Sequence, residues 1–376
     1  MDDSLPLPLR WLKRTEARYR TLPFLPRTLP AVVATGCALL VFVVIYRASW
    51  LCEDAFITLR TVDNWVSGYG LRWNVDERVQ SYTHPLWIFF LAAAYAPWRD
   101  PALALQAPSL LLSAVFLLCF ARRGQDQRIT AGSLLLLGAS KGFVEFSSPG
   151  LENPLVHVLL LVHAAACQHV VQARAGAWRV TLTVALLLLT RADLLWLVGP
   201  SFIVALWSAR AELRAPATWL AWAPLVAWEA FSLLYYGFPV PNTAYAKLTT
   251  GVPFDEALAQ GLRYFEGNFH YDPVTLGTVA LGLLVGLLSR RRLPVSFALG
   301  LASWSIYLVR VGGDFMLGRL LTPALVLAVI TLVLALPARA GLAAPWVGAM
   351  AMLASLWLPR SPLWGPVRPL RPSSSA

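Results

Sequence analysis

Apolar stretches close to the length a helix needs to cross a bilayer, about 20 residues, follow one another along almost the whole chain. They run at 30–50, 85–97, 102–120, 129–147, 152–172, 179–190 with 193–209, 217–236, 273–289, 294–310, 320–337 and 341–359. All are expected to be helices, since open sheet edges do not survive in lipid. The fold expected is therefore an all-α polytopic membrane protein with a bundle of about 11 transmembrane helices. The stretch 85–97 is short, and 179–209 is interrupted by Arg191-Ala192-Asp193.

Composition agrees. Charged residues make up 14% of the chain and hydrophobic ones 57%, where soluble domains carry about 25% charged residues. The 16 Trp and 11 Tyr suit interfacial aromatic belts. A net charge of +11 would suggest a nucleic-acid partner in a soluble protein. Here the basic residues sit in short loops between apolar runs, as the positive-inside rule requires, so the expected partner is the bilayer and not nucleic acid. Of Cys37, Cys52, Cys119 and Cys167, three lie inside apolar runs and none forms a CxxC pair, which argues against a disulfide framework or a zinc site. His157, His163 and His169 recur every six residues, which does not place ligands on one helix face.

The basic loops set an orientation. Residues 1–28 carry Arg10, Lys13, Arg14, Arg18, Arg20 and Arg27. They are expected to stay cytoplasmic and not to act as a cleaved signal. Arg122, Arg123 and Arg128, then Arg174 and Arg179, then Arg210 and Arg214, then Arg290-Arg291-Arg292 mark cytoplasmic loops. Segments 51–84, 147–152, 237–272 and 310–319 then face outward. One crossing too many falls between His84 and Arg122. Either 85–97 is re-entrant, lining a protein cavity, or the Arg122–Arg128 loop lies outside against the charge rule; the first is preferred. The transmembrane domain spans 29–359, and the Pro-, Arg- and Ser-rich tail 360–376 reads as disordered. The main outer loops, 51–84 and 237–272, are too short to fold alone, so no soluble outer domain is expected.

The polar residues hardest to explain as loop filler all fall on the outward side. Glu53-Asp54 directly follow the first apolar run. Charges near hydrocarbon are costly unless they face water, a partner or a substrate. Arg60, Tyr82 and His84 share that loop; Glu152, the Arg191–Asp193 break, Asn242, Lys247, Asp314 and Arg319 come from later segments. Structural roles compete at each position: a helix cap for the acids, a local turn for Asp314, an internal ion pair for Arg191 and Asp193. Acids beside cations nevertheless suit sugar transfer from a phosphate carrier. A carboxylate takes the proton of an attacking hydroxyl, and Arg or Lys stabilises the departing phosphate. No Walker loop, nucleophile elbow or GxGxxG turn is present to cradle a nucleotide. Hard divalent cations take carboxylate oxygens, so Glu53-Asp54 leaves room for one, although no ligand set is complete.

The runs Glu53-Asp54-Ala55-Phe56-Ile57-Thr58-Leu59-Arg60, Gly68-Tyr69-Gly70-Leu71-Arg72-Trp73-Asn74 and Ser81-Tyr82-Thr83-His84-Pro85-Leu86-Trp87 resemble the first outer loop of GT-C glycosyltransferases. The resemblance is strongest to the terminal β-(1→2) arabinofuranosyltransferase family. Gly150-Leu151-Glu152, Leu189-Thr190-Arg191-Ala192-Asp193, Pro241-Asn242-Thr243 and Gly312-Gly313-Asp314-Phe315-Met316-Leu317-Gly318-Arg319 extend it in order, over about residues 50 to 325. The resemblance implies a GT-C-type bundle in the plasma membrane. It implies inverting transfer of a sugar, a pentofuranose such as arabinofuranose, from a polyprenyl-phosphate donor to an extracytoplasmic glycan or glycoprotein. It implies Asp54 as catalytic base with Glu53 beside it, where the family pattern has two aspartates. Arg60, Arg191, Lys247 and Arg319 are the candidates for the donor phosphate, and Tyr82, His84, Glu152, Asn242 and Asp314 for the sugar. The rival readings are a lipid-linked sugar flippase or transporter, which predicts inverted repeats and charges at mid-membrane, and another GT-C enzyme such as a mannosyl- or aminoarabinose-type transferase.

Overall fold

The computed structural model describes residues 29–124, 126–239, 241, 253–357, 361 and 363. Helices account for every regular element among them. In chain order these are α1 (Leu29–Arg47), α2 (Glu53–Val66), α3 (Pro85–Tyr95), α4 (Pro101–Arg123), α5 (Gln127–Ala139), α6 (Lys141–Glu145), α7 (Asn153–Ala173) and α8 (Ala177–Thr190). They continue with α9 (Leu195–Ser208), α10 (Pro216–Leu220), α11 (Ala223–Tyr236), α12 (Phe254–Tyr271), α13 (Pro273–Leu288), α14 (Arg292–Arg310), α15 (Thr322–Ala335) and α16 (Ala344–Ser355). Short 3-10 turns at Ala192–Leu194 and Arg319–Leu321 lead into α9 and α15.

Helices occupy each of the expected apolar runs, but they are shorter than the runs suggested. Four, α1, α4, α7 and α14, are long and apolar enough to cross a membrane, and α12 with α13 forms a further candidate bent by 112°. The expected run 129–147 breaks at Ser140, whose hydroxyl caps α6 by accepting from Phe143 N at 3.0 Å. The run 217–236 divides between α10 and α11. The 14 residues of α15 rise only about 21 Å, and nearly all are buried. That helix lies at the centre of the bundle against α13, α14 and α7, so its apolarity reflects protein packing as much as lipid.

The short run expected at 85–97 forms α3. Its 11 residues rise about 16 Å, half of a bilayer core. Near its start, Trp87 donates to the Gly150 carbonyl at 3.0 Å. Just past its end, Arg99 donates to Ser67 at 2.9 Å and to the Val66 carbonyl at 3.2 Å, where α2 stops. The first turns of α4 return to the same place, since a Cβ on Gly150 would sit 3.0 Å from both Leu105 and Ala55. The start of α3 thus lies by the start of α2, and the residues just past its end lie by the end of α2.

Helix α12 carries three faces. Gly261, Tyr264 and Asn268 are buried against the protein. Phe254, Leu258, Leu262 and Phe269 are exposed along a second stripe, and Asp255, Glu256, Arg263 and Glu266 occupy the rest. An amphipathic helix set at 112° to its neighbour fits an interfacial position better than a span.

Candidate active site

The ends of five helices meet at one polar cluster. Cys52 N donates to the Pro149 carbonyl at 3.0 Å, which pins the start of α2 to the loop before α7 and sets Asp54 beside it. One helical turn on, Thr58 shares a 2.9 Å hydrogen bond with His84 Nε2. His84 Nδ1 in turn lies 3.8 Å from Glu152 Oε2. Glu152, at the N-terminus of α7, is the hub: its side chain is 1% exposed, yet it meets Arg191 at 3.0 Å and Arg319 at 3.2 Å. Arg319 also stands 3.7 Å from Asp54 and 3.9 Å from Asp314.

The two arginines differ in what they have left to offer. All three guanidinium nitrogens of Arg191 are engaged: Nε and Nη2 fork onto Asp193 at 3.0 and 2.5 Å, and Nη1 donates to Glu152. Bidentate pairing of this kind is strong and fixes geometry. Arg191 is therefore a buttress that neutralises buried carboxylates. Arg319 Nε is left without a hydrogen-bond partner among the described residues, and its Nη1 makes only long contacts, to the Met316 sulfur at 3.8 Å and to Asp54 and Asp314.

Electrostatics follow the same division. Burial alone would raise the Glu152 carboxyl, but the charges of Arg319 and Arg191 and the His84 ring outweigh it and hold the group well below the usual carboxylate range. Burial drives His84 down to about 4, with Glu152 opposing and the two arginines assisting. The imidazole is then neutral at pH 7, and its contact with Glu152 is not an ion pair. Asp193 and Glu152 raise Arg191 despite its burial. Four carboxylates (Asp54, Glu152, Asp193, Asp314) thus face two guanidinium groups and a neutral ring, so the cluster is net negative. Asp54 is the accessible member, its side chain 38% exposed.

The Arg319 loop is held from behind. Gly318 adopts φ +87°, and a Cβ there would meet the Gly142 Cα at 3.0 Å. Its N–H donates to Asn268 Oδ1 at 2.7 Å. Asp272, 1% exposed, caps α13 by accepting from Thr275 N at 3.1 Å and accepts from Gly142 N at 2.8 Å and Ser140 Oγ at 2.9 Å. The α12–α13 bend, α6 and the Arg319 loop therefore interlock.

Asp54, His84, Glu152, Arg191, Asp314 and Arg319, named from the sequence, come together. Glu53 is exposed and makes no ion pair or hydrogen bond among the described residues. Arg60 lies outside the cluster: its guanidinium sits 4.5 Å over the Trp73 ring and donates to the Trp73 carbonyl at 3.1 Å. The Tyr82 hydroxyl pairs with that of Tyr236 at 2.9 Å, which donates to the Leu71 carbonyl at 2.6 Å, so it fastens the first loop to α11. Asn242 and Lys247 fall outside the described residues. Asp193 and Thr58 join the site without having been assigned to it. Only Asp193 carried a sequence signal, as the second half of the helix break. Among the described residues no group of three or more His, Cys, Asp or Glu is arranged to hold a metal ion.

Beside the cluster lies an apolar cavity of about 540 Å³, lined by Trp65, Leu71, Leu86, Phe89, Leu189, Trp228, Phe231 and Tyr235 among others. Leu86 and Leu189 of its lining are each two residues along the chain from His84 and Arg191.

These features define an α-helical membrane protein with an acid–arginine site at one end of its bundle. No family model matches the chain. It is similar to the terminal beta-(1->2)-arabinofuranosyltransferase of Mycobacterium tuberculosis, 30% identical over 327 residues, with 73% of this chain and 51% of that protein covered. The protein of the same name from Corynebacterium glutamicum is 28% identical over 323 residues, covering 73% of this chain and 46% of its own length. The chain spans about half the length of the curated relatives it matches.

Proposed function

We propose that this protein is a membrane glycosyltransferase that moves a pentofuranosyl group, arabinofuranose by analogy with its relatives, from a polyprenyl phosphate to the hydroxyl of a glycan or glycoprotein acceptor. The reaction takes place at the extracytoplasmic face of the plasma membrane. The observation that carries the reading is the pairing of an accessible carboxylate, Asp54, with an arginine 3.7 Å away whose Nε has no partner. Asp54 takes the proton of the acceptor hydroxyl as its oxygen bonds to the anomeric carbon. The bond from that carbon to the phosphate oxygen breaks, and its electron pair leaves with the lipid phosphate. Arg319 stabilises the charge that develops there. With Asp54 acting as the base and Glu152 buried and engaged by two arginines, the reaction proposed is a single displacement with inversion.

The apolar cavity suits the first prenyl units, being of ordinary size for a ligand pocket and almost wholly apolar. The net negative cluster needs a further positive charge when a phosphate arrives. Lys247 in the outer loop is the candidate within the chain, and a bound divalent cation is the other source. The test is transfer by the purified protein from polyprenyl-phosphoryl arabinofuranose to an arabino-oligosaccharide, with the product anomer read by NMR. Transfer with inversion relative to the donor supports the proposal. Retention removes the single displacement, and lipid translocation without a new glycosidic bond removes the transferase reading.

A further inference from the structure

Arg72 and Arg78, in the loop between α2 and α3, form no ion pair among the described residues. Both stand against Tyr235 of α11 instead. Arg72 Nε makes a long 3.4 Å contact to the Tyr235 hydroxyl, and the Arg78 guanidinium lies 5.0 Å over the Tyr235 ring. Arg72 Nη1 donates to the Val75 carbonyl at 2.8 Å. Its Nη2 and all the nitrogens of Arg78 make no hydrogen bond among the described residues. Asp76 and Glu77 lie between the two arginines in sequence, but neither pairs with a guanidinium, and Glu77 accepts from Asn74 at 2.5 Å.

Tyr235 is part of the wall of the apolar cavity, and so are Gly70 and Leu71, the two residues before Arg72. Gly70 has φ +88°, and a Cβ there would run into the Tyr235 hydroxyl and come within 3.7 Å of Arg72 Nε. A residue without a side chain, free to adopt positive φ, thus lets the loop lie directly on that hydroxyl. This brings the Arg72 guanidinium to the edge of the cavity. Phe89, 43% exposed, and the exposed Pro224 and Ala227 also belong to the lining, so the cavity opens on the flank of the bundle between α3 and α11. An apolar hollow that opens sideways beneath two unpaired cations is complementary to an apolar chain that ends in an anion.

We propose that Arg72 and Arg78 dock the phosphate of an isoprenoid phosphate whose first prenyl units occupy the cavity, with the Tyr235 hydroxyl donating a further hydrogen bond. Guanidinium groups match phosphate oxygens in geometry as well as charge. The tyrosine hydroxyl keeps its own hydrogen to donate while it accepts from Arg72. A cavity of about 540 Å³ is the size of a single drug-sized ligand, which suits one chain per phosphate better than the two of a diacyl phospholipid. The assignment rests on the reading of this cavity as the prenyl pocket. It makes Arg72 and Arg78 recognition residues for the lipid as it enters from the bilayer, while transfer itself stays with Asp54 and Arg319.

The experiment measures equilibrium binding of farnesyl phosphate and of farnesol to the protein in phosphatidylcholine nanodiscs, corrected for empty discs. Wild type is compared with R72Q, R78Q and A227F. Wild type should bind farnesyl phosphate at least about 10-fold more tightly than farnesol. R72Q and R78Q should each weaken farnesyl phosphate about 10-fold, the worth of a hydrogen bond to a charged group, and leave farnesol unchanged. Arg78 is exposed, so R78Q should also unfold at the wild-type temperature. Ala227 lines the cavity, and A227F should weaken both ligands by the same factor. Equal affinity of wild type and both arginine variants for farnesyl phosphate overturns the assignment. So does displacement of farnesyl phosphate by an equal concentration of dihexanoyl phosphatidylglycerol, which marks a general phospholipid site. Binding is read without transfer, so the assignment can fail while the transferase reading stands. Arginine-dependent binding in a protein that transfers nothing would support the docking site and remove the transferase reading alone.

Discussion

Acidification should destabilise this protein through His84 before the Glu152 carboxyl titrates. The ring is buried, and its pKa falls from 6.5 in the unfolded chain to about 4 in the folded one. Between these values the unfolded chain binds more protons than the native one, so stability rises with pH across that window and is lost as pH falls through it. At about 1.4 kcal/mol per unit the full loss is about 3 kcal/mol, of which about 2 kcal/mol has gone by pH 5. Glu152 does not contribute in that interval. Its depressed carboxyl adds stability above the ordinary carboxylate range, and that is lost only at lower pH. The control is H84Q, which cannot titrate and whose amide can still reach Thr58, the partner of His84 Nε2 at 2.9 Å. Thermal unfolding in mild detergent, followed from pH 7.5 to pH 5, should show wild type losing about 2 kcal/mol more than H84Q. Parallel curves for the two proteins would refute the reasoning, because they would mean that the ring is solvated or charged at neutral pH.

Other perturbations separate buttress from chemistry. E152Q removes the charge that two arginines share in the interior and should cost about 3–5 kcal/mol, read as a large drop in thermal midpoint with loss of transfer. G318A places a Cβ against Gly142 at positive φ; it should cost about 1–3 kcal/mol and lower transfer further than the stability loss explains, since Arg319 is the next residue. R319K keeps the charge but loses the fork and should reduce kcat/KM at least 10-fold, whereas R60A, whose guanidinium is stacked on Trp73, should stay within about threefold in the same transfer assay.

Much of the site was legible because placing charge at the end of an apolar run is expensive. Glu152, Arg191, Asp314 and Arg319 each stand where a helix meets a break, and those breaks meet at one end of the bundle. Arg60 illustrates the limit of that logic. It shares a loop with Asp54, yet six residues along a helix turn it about 240° away, and Trp73 was there to receive it. Helix lengths were the least legible part. The run 129–147 contains only Ser140-Lys141-Gly142 as an interruption, but a capping hydroxyl and the distant Asp272 end α5 there. The core helix α15 mimics a lipid-facing span because protein interior and lipid reward the same side chains.

The most direct measurement is single-turnover transfer by D54N, with donor and acceptor saturating and the folded state checked by thermal midpoint. Asp54 is partly exposed and makes only a loose 3.7 Å contact, so the variant should unfold as wild type does, while the chemical step slows about 100-fold or more, the worth of a general base. A stable D54N that turns over at the wild-type rate would contradict the assignment of proton transfer to this carboxylate.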